Sequence, residues 1–177
     1  EMSRASVDGA VYAGLSEYVH QDHIPMPVLD LYPRALARLA PDMETYLQRH
    51  WGKKQRQTYQ RKFRRLAEQG ELTVSVLNKD EDLEQWLDEF LALESSGWKG
   101  AEGSALSCNQ PDACFFREFS REAFARGRLL MVAMRMNGKA IAALHNVYAG
   151  YGAFQIKTAY DESWQQYSPG KLTYMET

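Results

Sequence analysis

Asn137-Gly138 sits between two apolar runs, Leu129–Met136 and Lys139–Tyr148. Asn-Gly between such runs is the strongest short hairpin signal, because the tight turn matching strand twist needs positive φ at both central residues. Ala149-Gly150 then turns the chain into a third run, Tyr151–Tyr160, so the spacing predicts an antiparallel meander. The last strand leads toward Ser168-Pro169-Gly170-Lys171. Ser168 suits a helix N-cap, Pro169 the first helical position, and Gly170 allows close approach to free backbone N–H groups. Such a corner fits an anion, and a phosphate-bearing cofactor in particular.

Helical periods dominate upstream of the hairpin. Pro33 to Ala40 reads as a short helix ended by Pro41, and Asp42 then caps a longer helical region through Leu66 with a break near Gly52. Gly70 stops it, and Leu72–Leu77 has the β-branched content of a strand. Asp80 opens an amphipathic helix placing Leu83, Trp86, Leu87, Phe90, Leu91 and Leu93 on one side as far as Glu94. The loop Glu94-Ser-Ser-Gly-Trp-Lys-Gly follows, and Asp112–Arg126 forms a further helix with Phe115, Phe116, Phe119, Ala123 and Phe124 inward. Residues 1–30 are expected to be an irregular N-terminal extension, with Gly9, Gly14, Pro25 and Pro27 breaking any period and Val28–Leu31 extended. The order of elements is α+β, with helices covering the faces of a mostly antiparallel sheet.

Composition narrows the function classes. A net charge of -2 over 177 residues argues against a chain that binds nucleic acid by overall charge. A local patch survives this argument, since Arg49, Lys53, Lys54, Arg56, Arg61, Lys62, Arg64 and Arg65 fall in a stretch without a carboxylate. Eight unpartnered cations repel one another and gain from an anionic ligand, although their aliphatic stems also suit a solvated helix face. The longest apolar run, Leu129–Met134, is too short to span a bilayer, and the reading is of a soluble, cytoplasmic protein. Cys108 and Cys114 make neither a disulfide framework nor a zinc site, and His20 and His23 lack further ligands, so no metal is expected.

This order, with His50-Trp-Gly-Lys-Lys-Gln-Arg, Glu94-Ser-Ser-Gly-Trp-Lys-Gly, Arg126-Gly-Arg-Leu and Tyr160-Asp-Glu-Ser-Trp-Gln-Gln-Tyr-Ser-Pro-Gly, resembles the GNAT acyltransferase superfamily over roughly residues 28–176. The branch it resembles comprises acetyltransferases linked to cellulose or exopolysaccharide biosynthesis, itself similar to Fem-type peptidyltransferases. The resemblance implies a GNAT-like domain over residues 31–177. It also implies transfer of an acyl group from acetyl-CoA or another acyl-CoA to an amine or hydroxyl of a small-molecule or saccharide acceptor. The thioester would lie along Tyr151–Tyr160, with the pyrophosphate at Ser168, Pro169, Gly170 and Lys171, and with Lys157 on the cofactor side. GNAT folds continue past this helix into a further strand, so the domain is expected to be C-terminally incomplete at Thr177.

Acyl transfer requires relief of the acceptor's proton and protonation of the departing thiolate. Asp161, then Glu94, are the candidate bases; Tyr160 or Tyr167 is the candidate acid. Lys99 could contact substrate or phosphate, Trp98 could stack on a sugar or adenine ring, and His145 could line the cleft. Two alternatives use the basic helix 49–65: a Fem-like transferase that takes an aminoacyl group from charged tRNA, and a non-catalytic anion- or nucleic-acid-binding module on the same scaffold.

Overall fold

β1 (Leu72–Val76), β2 (Leu129–Met136), β3 (Lys139–Ala149) and β4 (Gly152–Tyr160) form one antiparallel sheet in the order β1-β2-β3-β4. The computed structural model describes residues 6–31, 40–79, 81–150 and 152–176. These fall into two units, 1–39 and 40–177, each taken by itself. The β2–β3 turn has Asn137 at φ 49 and Gly138 at φ 80, both positive as the tight hairpin requires. Asn137 does more than turn the chain. Its Oδ1 accepts from the Glu71 N–H at 2.9 Å, and a Cβ at position 70 would stand 2.6 Å from that oxygen, so Gly70 is needed for the close approach.

Helices cover both faces of the sheet. α4 (Leu83–Ser95) and α6 (Gln110–Ala125) bury Trp86, Leu87, Phe90, Leu91, Leu93 and Phe116 against Met131, Ala133, Ala143 and Ala159, with Phe90 stacked on Phe116 at 5.3 Å. Burial of such side chains is worth about 1.5–3 kcal/mol each, and they anchor the layer. On the opposite face, α3 (Lys53–Ala67) and the short C-terminal α7 (Pro169–Met175) join Leu66 and Leu172 to Met134, Met136, Ile141 and Ala142. The alternation of β2 explains both layers, since Met131 and Ala133 point one way and Met134 and Met136 the other.

Local chemistry sets the helix ends. Asp42 caps α2 (Met43–His50) by accepting from Thr45 N at 2.7 Å, and Trp51-Gly52 separates α2 from α3 where the sequence places a break. α4 starts two residues later than expected: Asp82 is its N-cap, accepting from Glu84 N at 2.9 Å, while Asp80 lies outside the described residues. Phe115, expected inward, is 68% exposed and stacks on Phe119 along the outer surface of α6. Cys108 and Cys114 are free and exposed.

The N-terminal unit departs from the irregular extension expected for residues 1–30. α1 runs over Ala10–Gln21, because Gly14 alone does not outweigh eleven residues with no proline among them. Val28–Leu31 joins no ladder among the described residues, and the helix expected over Pro33–Ala40 lies outside them but for its last residue, Ala40, which is not helical.

Asn137→Ala removes the acceptor for Glu71 N–H and puts a β-carbon residue without a compensating amide at positive φ. It should cost about 1–3 kcal/mol in urea unfolding; a loss below about 0.5 kcal/mol would show that the turn does not depend on the Asn137 side chain.

Candidate functional site

The site is built on an irregularity in β4. His145 of β3 pairs with Lys157, but the next residue, Asn146, pairs with Gln155, so Ile156 is the extra residue of a β-bulge. Strict alternation would put Gln155, Lys157 and Ala159 on one face, and the bulge breaks it. Lys157 reaches α4 and Ala159 joins the core beneath α4, whereas Gln155 lies on the other side, its Nε2 donating to Thr158 Oγ1 at 2.5 Å. β4 is also an edge strand, paired only with β3 among the described residues.

Thr158, Gln155 and Tyr160 form one wall of a cavity of about 600 Å³ whose other walls are the start of α7, from Ser168 to Lys171, and Trp51 at the end of α2. A six-residue 3-10 segment, Glu162–Tyr167, separates β4 from α7, so the strand does not pass directly into the helix. Ser168 occupies the N-cap position at φ 58, but its hydroxyl does not cap. It accepts instead from Lys62 Nζ at 2.6 Å. Of the amides expected to be free, Ser168 N–H bonds Gln165 O, and Lys171 N–H and Leu172 N–H both bond Ser168 O. Among the described residues Gly170 N–H has no protein acceptor, which corrects the expectation of several open donors. Gly170 also packs closely on β4, since a Cβ there would meet Thr158 Cγ2 at 3.2 Å. Lys171 extends over the Trp51 ring at 4.6 Å.

A second cluster lies on the α4 side of β4. The Glu94 side chain is 0% exposed, and its Oε1 accepts from Lys157 Nζ at 2.7 Å and Lys99 Nζ at 3.5 Å. Its Oε2 accepts from Leu106 N at 2.9 Å, so both carboxylate oxygens are engaged within the protein. Lys99 also donates to Thr158 O at 3.2 Å. α5 (Trp98–Ala101) presents Trp98 half exposed, its backbone N–H fixed to Glu162 Oε1 at 2.9 Å. A Cβ on Gly100 would collide with Ser95 O at 1.8 Å, so this tight return of the chain depends on glycine.

The remaining candidates separate clearly. Asp161 Oδ1 accepts from Ser163 N at 2.9 Å and Ser163 Oγ at 2.6 Å, while Oδ2 takes no protein donor. Tyr160 lines the cavity, and Tyr167 packs on Trp164 at 6.1 Å. His145 is not brought to the cavity. It is 0% exposed among Phe90, Phe116 and Phe119, and its Nε2 lies 2.8 Å from Ser120 Oγ. Since Ser120 Oγ already donates to Phe116 O at 2.6 Å, its remaining role is acceptor, which puts the proton on Nε2 and leaves Nδ1 a buried, unpaired lone pair. Burial holds the imidazole pKa down to about 4.

A bulged edge strand and a helix start facing it enclose a cavity between them. Residues 53–177 match the family model described as Acetyltransferase (GNAT) domain, and the chain belongs to that family. Membership supports acyl transfer in general, and GNAT domains as a family use acyl-CoA. No curated protein and no solved structure matches the chain. Among the described residues no group of three or more His, Cys, Asp or Glu side chains could hold a metal, and no helix is long and apolar enough to cross a membrane.

Sequence reasoning passed over Lys62 and Trp51 as individual contributors. Both lay in plain view, one inside the basic run and the other before Gly52, but only the packing of α3 on α7 brings them to Ser168 and Lys171.

The buried imidazole has a pH consequence. The unfolded chain takes up a proton near pH 6.5 and the folded one near 4, so stability should be constant above about 6.5 and fall as pH is lowered toward 4, by up to about 3 kcal/mol. His145→Phe should flatten this limb in urea titrations at pH 7, 5.5 and 4.5. Identical slopes for the two proteins would remove His145 from acid unfolding.

Proposed function

We propose that the chain is an acyl-CoA-dependent acyltransferase for an amine or hydroxyl of a small polar or saccharide acceptor, of the polysaccharide-associated branch. What supports this most is the coincidence of family membership with the cavity between β4 and α7. The donor set fits a pyrophosphate: Gly170 N–H is free, Gly170 lacks the Cβ that would close on Thr158, and the Lys62 and Lys171 ammonium groups converge on the same corner. Ser168, Pro169, Gly170 and Lys171 would hold the co-substrate there. Bound acyl-CoA supplies a thioester whose acyl group is activated for transfer. A cytoplasmic setting suits an enzyme drawing on that pool.

Asp161 is the base in this reading, through Oδ2; Ser163 holds Oδ1 and so keeps the carboxylate oriented. Tyr160 Oη donates the proton that the departing thiolate takes up. Glu94 is less suited to proton transfer than to orientation, since both of its oxygens are engaged by Lys157, Lys99 and Leu106. Trp98 offers an exposed ring against which a flat acceptor can stack.

A second reading rests on α3. Of the eight cations between Arg49 and Arg65, only Arg64 forms an ion pair, with Glu68 at 3.8 Å, among the described residues. Charged tRNA as the acyl source would use the others for phosphate contacts, and its binding would weaken steeply with salt.

Acetyl-CoA should shift the amide resonances of Gly170 and Thr158 saturably. Asp161→Asn should lower kcat about 10²- to 10⁴-fold while leaving that binding intact. Absence of a saturable response at Gly170 would overturn the acyl-CoA reading, and a salt-steep response to tRNA in its place would favour the second one.

A further inference from the structure

We infer that Lys99 and Lys157 form an anion subsite, so that the acceptor is one that carries a carboxylate or phosphate group; this rests on the acyl-transfer reading. Glu94 needs only one cation for neutrality, because Leu106 N–H already satisfies its second oxygen. Two ammonium groups nevertheless bond the same Oε1, at 2.7 and 3.5 Å, around a side chain that is 0% exposed. The cluster therefore carries one positive charge in excess, and like-charge repulsion between two closely held ammonium groups opposes it. An anion bridging them relieves that repulsion.

The donors for such an anion are unused and reachable. Each ammonium has three N–H groups. Lys157 commits one to Glu94, and Lys99 commits two, to Glu94 and Thr158 O, leaving the rest without an acceptor among the described residues. The side chains are 29% and 27% exposed, so a ligand can touch them without displacing the core. Glu94 holds both ammonium groups in place, through the 2.7 Å contact to Lys157 and the 3.5 Å contact to Lys99. The subsite also borders the reaction zone: Lys99 is bonded to the backbone of Thr158, whose side chain lines the cavity on the other face of β4. Trp98, 6.0 Å from Lys99 Nζ, gives the same acceptor a ring to lie against. Lys99 and Lys157 are thus specificity-determining residues and Glu94 a positioning residue.

The test uses the full chain, with acetate, inorganic phosphate and chloride titrated at constant ionic strength and followed by amide NMR. Acetate or phosphate should shift Lys99, Leu106 and Lys157 saturably beyond chloride, and Lys99→Gln and Lys157→Gln should each weaken this at least tenfold. Saturation by acetate alone assigns a carboxylate-bearing acceptor, and by phosphate alone a phosphorylated one. Lys99→Gln removes the longer contact and keeps the comparison available should Lys157→Gln fail to fold. In transfer assays that follow thiol release, glucuronate should outperform glucose, or glycine glycinamide, through acceptor KM rather than kcat, and Lys99→Gln should erase the preference. Responses equal to chloride, or unchanged in both variants, would overturn the subsite. Anion binding that persists while acetyl-CoA leaves Gly170 unmoved would instead overturn the acyl-transfer reading alone.

Discussion

The contact on which the site depends is the one between Glu94 and Lys157. It ties the last full turn of α4 to the far edge of the sheet, 63 residues later in the chain. A carboxylate with no exposed surface demands compensation, and here that demand determines what surrounds it: Lys157 from β4, Lys99 from α5 and the Leu106 amide from the following turn. The end of α4 and the segment that follows it are thereby held to a strand 63 residues further on. The tight passage from Ser95 to Gly100 follows from the same requirement, since Lys99 reaches Glu94 only if the chain folds back over the end of α4.

The bulge at Ile156 gives that contact its direction. In a regular strand Gln155 and Lys157 would face the same helices; the bulge turns Gln155 to the other side, where it joins Thr158 and Tyr160 in the cavity wall while Lys157 reaches Glu94. Thr158 occupies the crossing point, with its side chain in the cavity, its carbonyl bonded to Lys99 and its methyl group 3.2 Å from where a Cβ of Gly170 would lie. A β-carbon at 170 would require the Thr158 methyl, part of the cavity wall, to give by a few tenths of an ångström.

Much of this architecture was legible because it is local. Asn137-Gly138 declares its hairpin through backbone conformation alone, Asp42 caps the helix that follows it, and the apolar period of α4 names its buried side. What was not legible depends on partners distant in sequence. Ser168 has the composition of an N-cap, yet its hydroxyl serves Lys62, 106 residues away, and of the amides expected to be free Ser168 N–H bonds Gln165 O and Lys171 N–H bonds Ser168 O. The bulge carries no glycine or proline to announce it, so alternation put Gln155 on the wrong face. His145 follows Leu144 on a strand with both faces covered, and only the packing of α6 shows that its neighbours are phenylalanines and a serine rather than a ligand.

Packing also divides the basic run, which looks uniform in sequence. Lys62 is turned toward the start of α7 and half buried, whereas Arg61, Arg64 and Arg65 are exposed. A buried hydrogen bond fixes the position of the Lys62 charge, while the exposed side chains keep their rotamer freedom and are screened by salt. The positive charge held at the start of α7 is therefore that of Lys62 and Lys171 rather than of the seven other cations between Arg49 and Arg65. Charge near a catalytic cleft acts through the few groups that geometry immobilises, and here those groups converge on the one helix start that faces a bulged, open-edged strand.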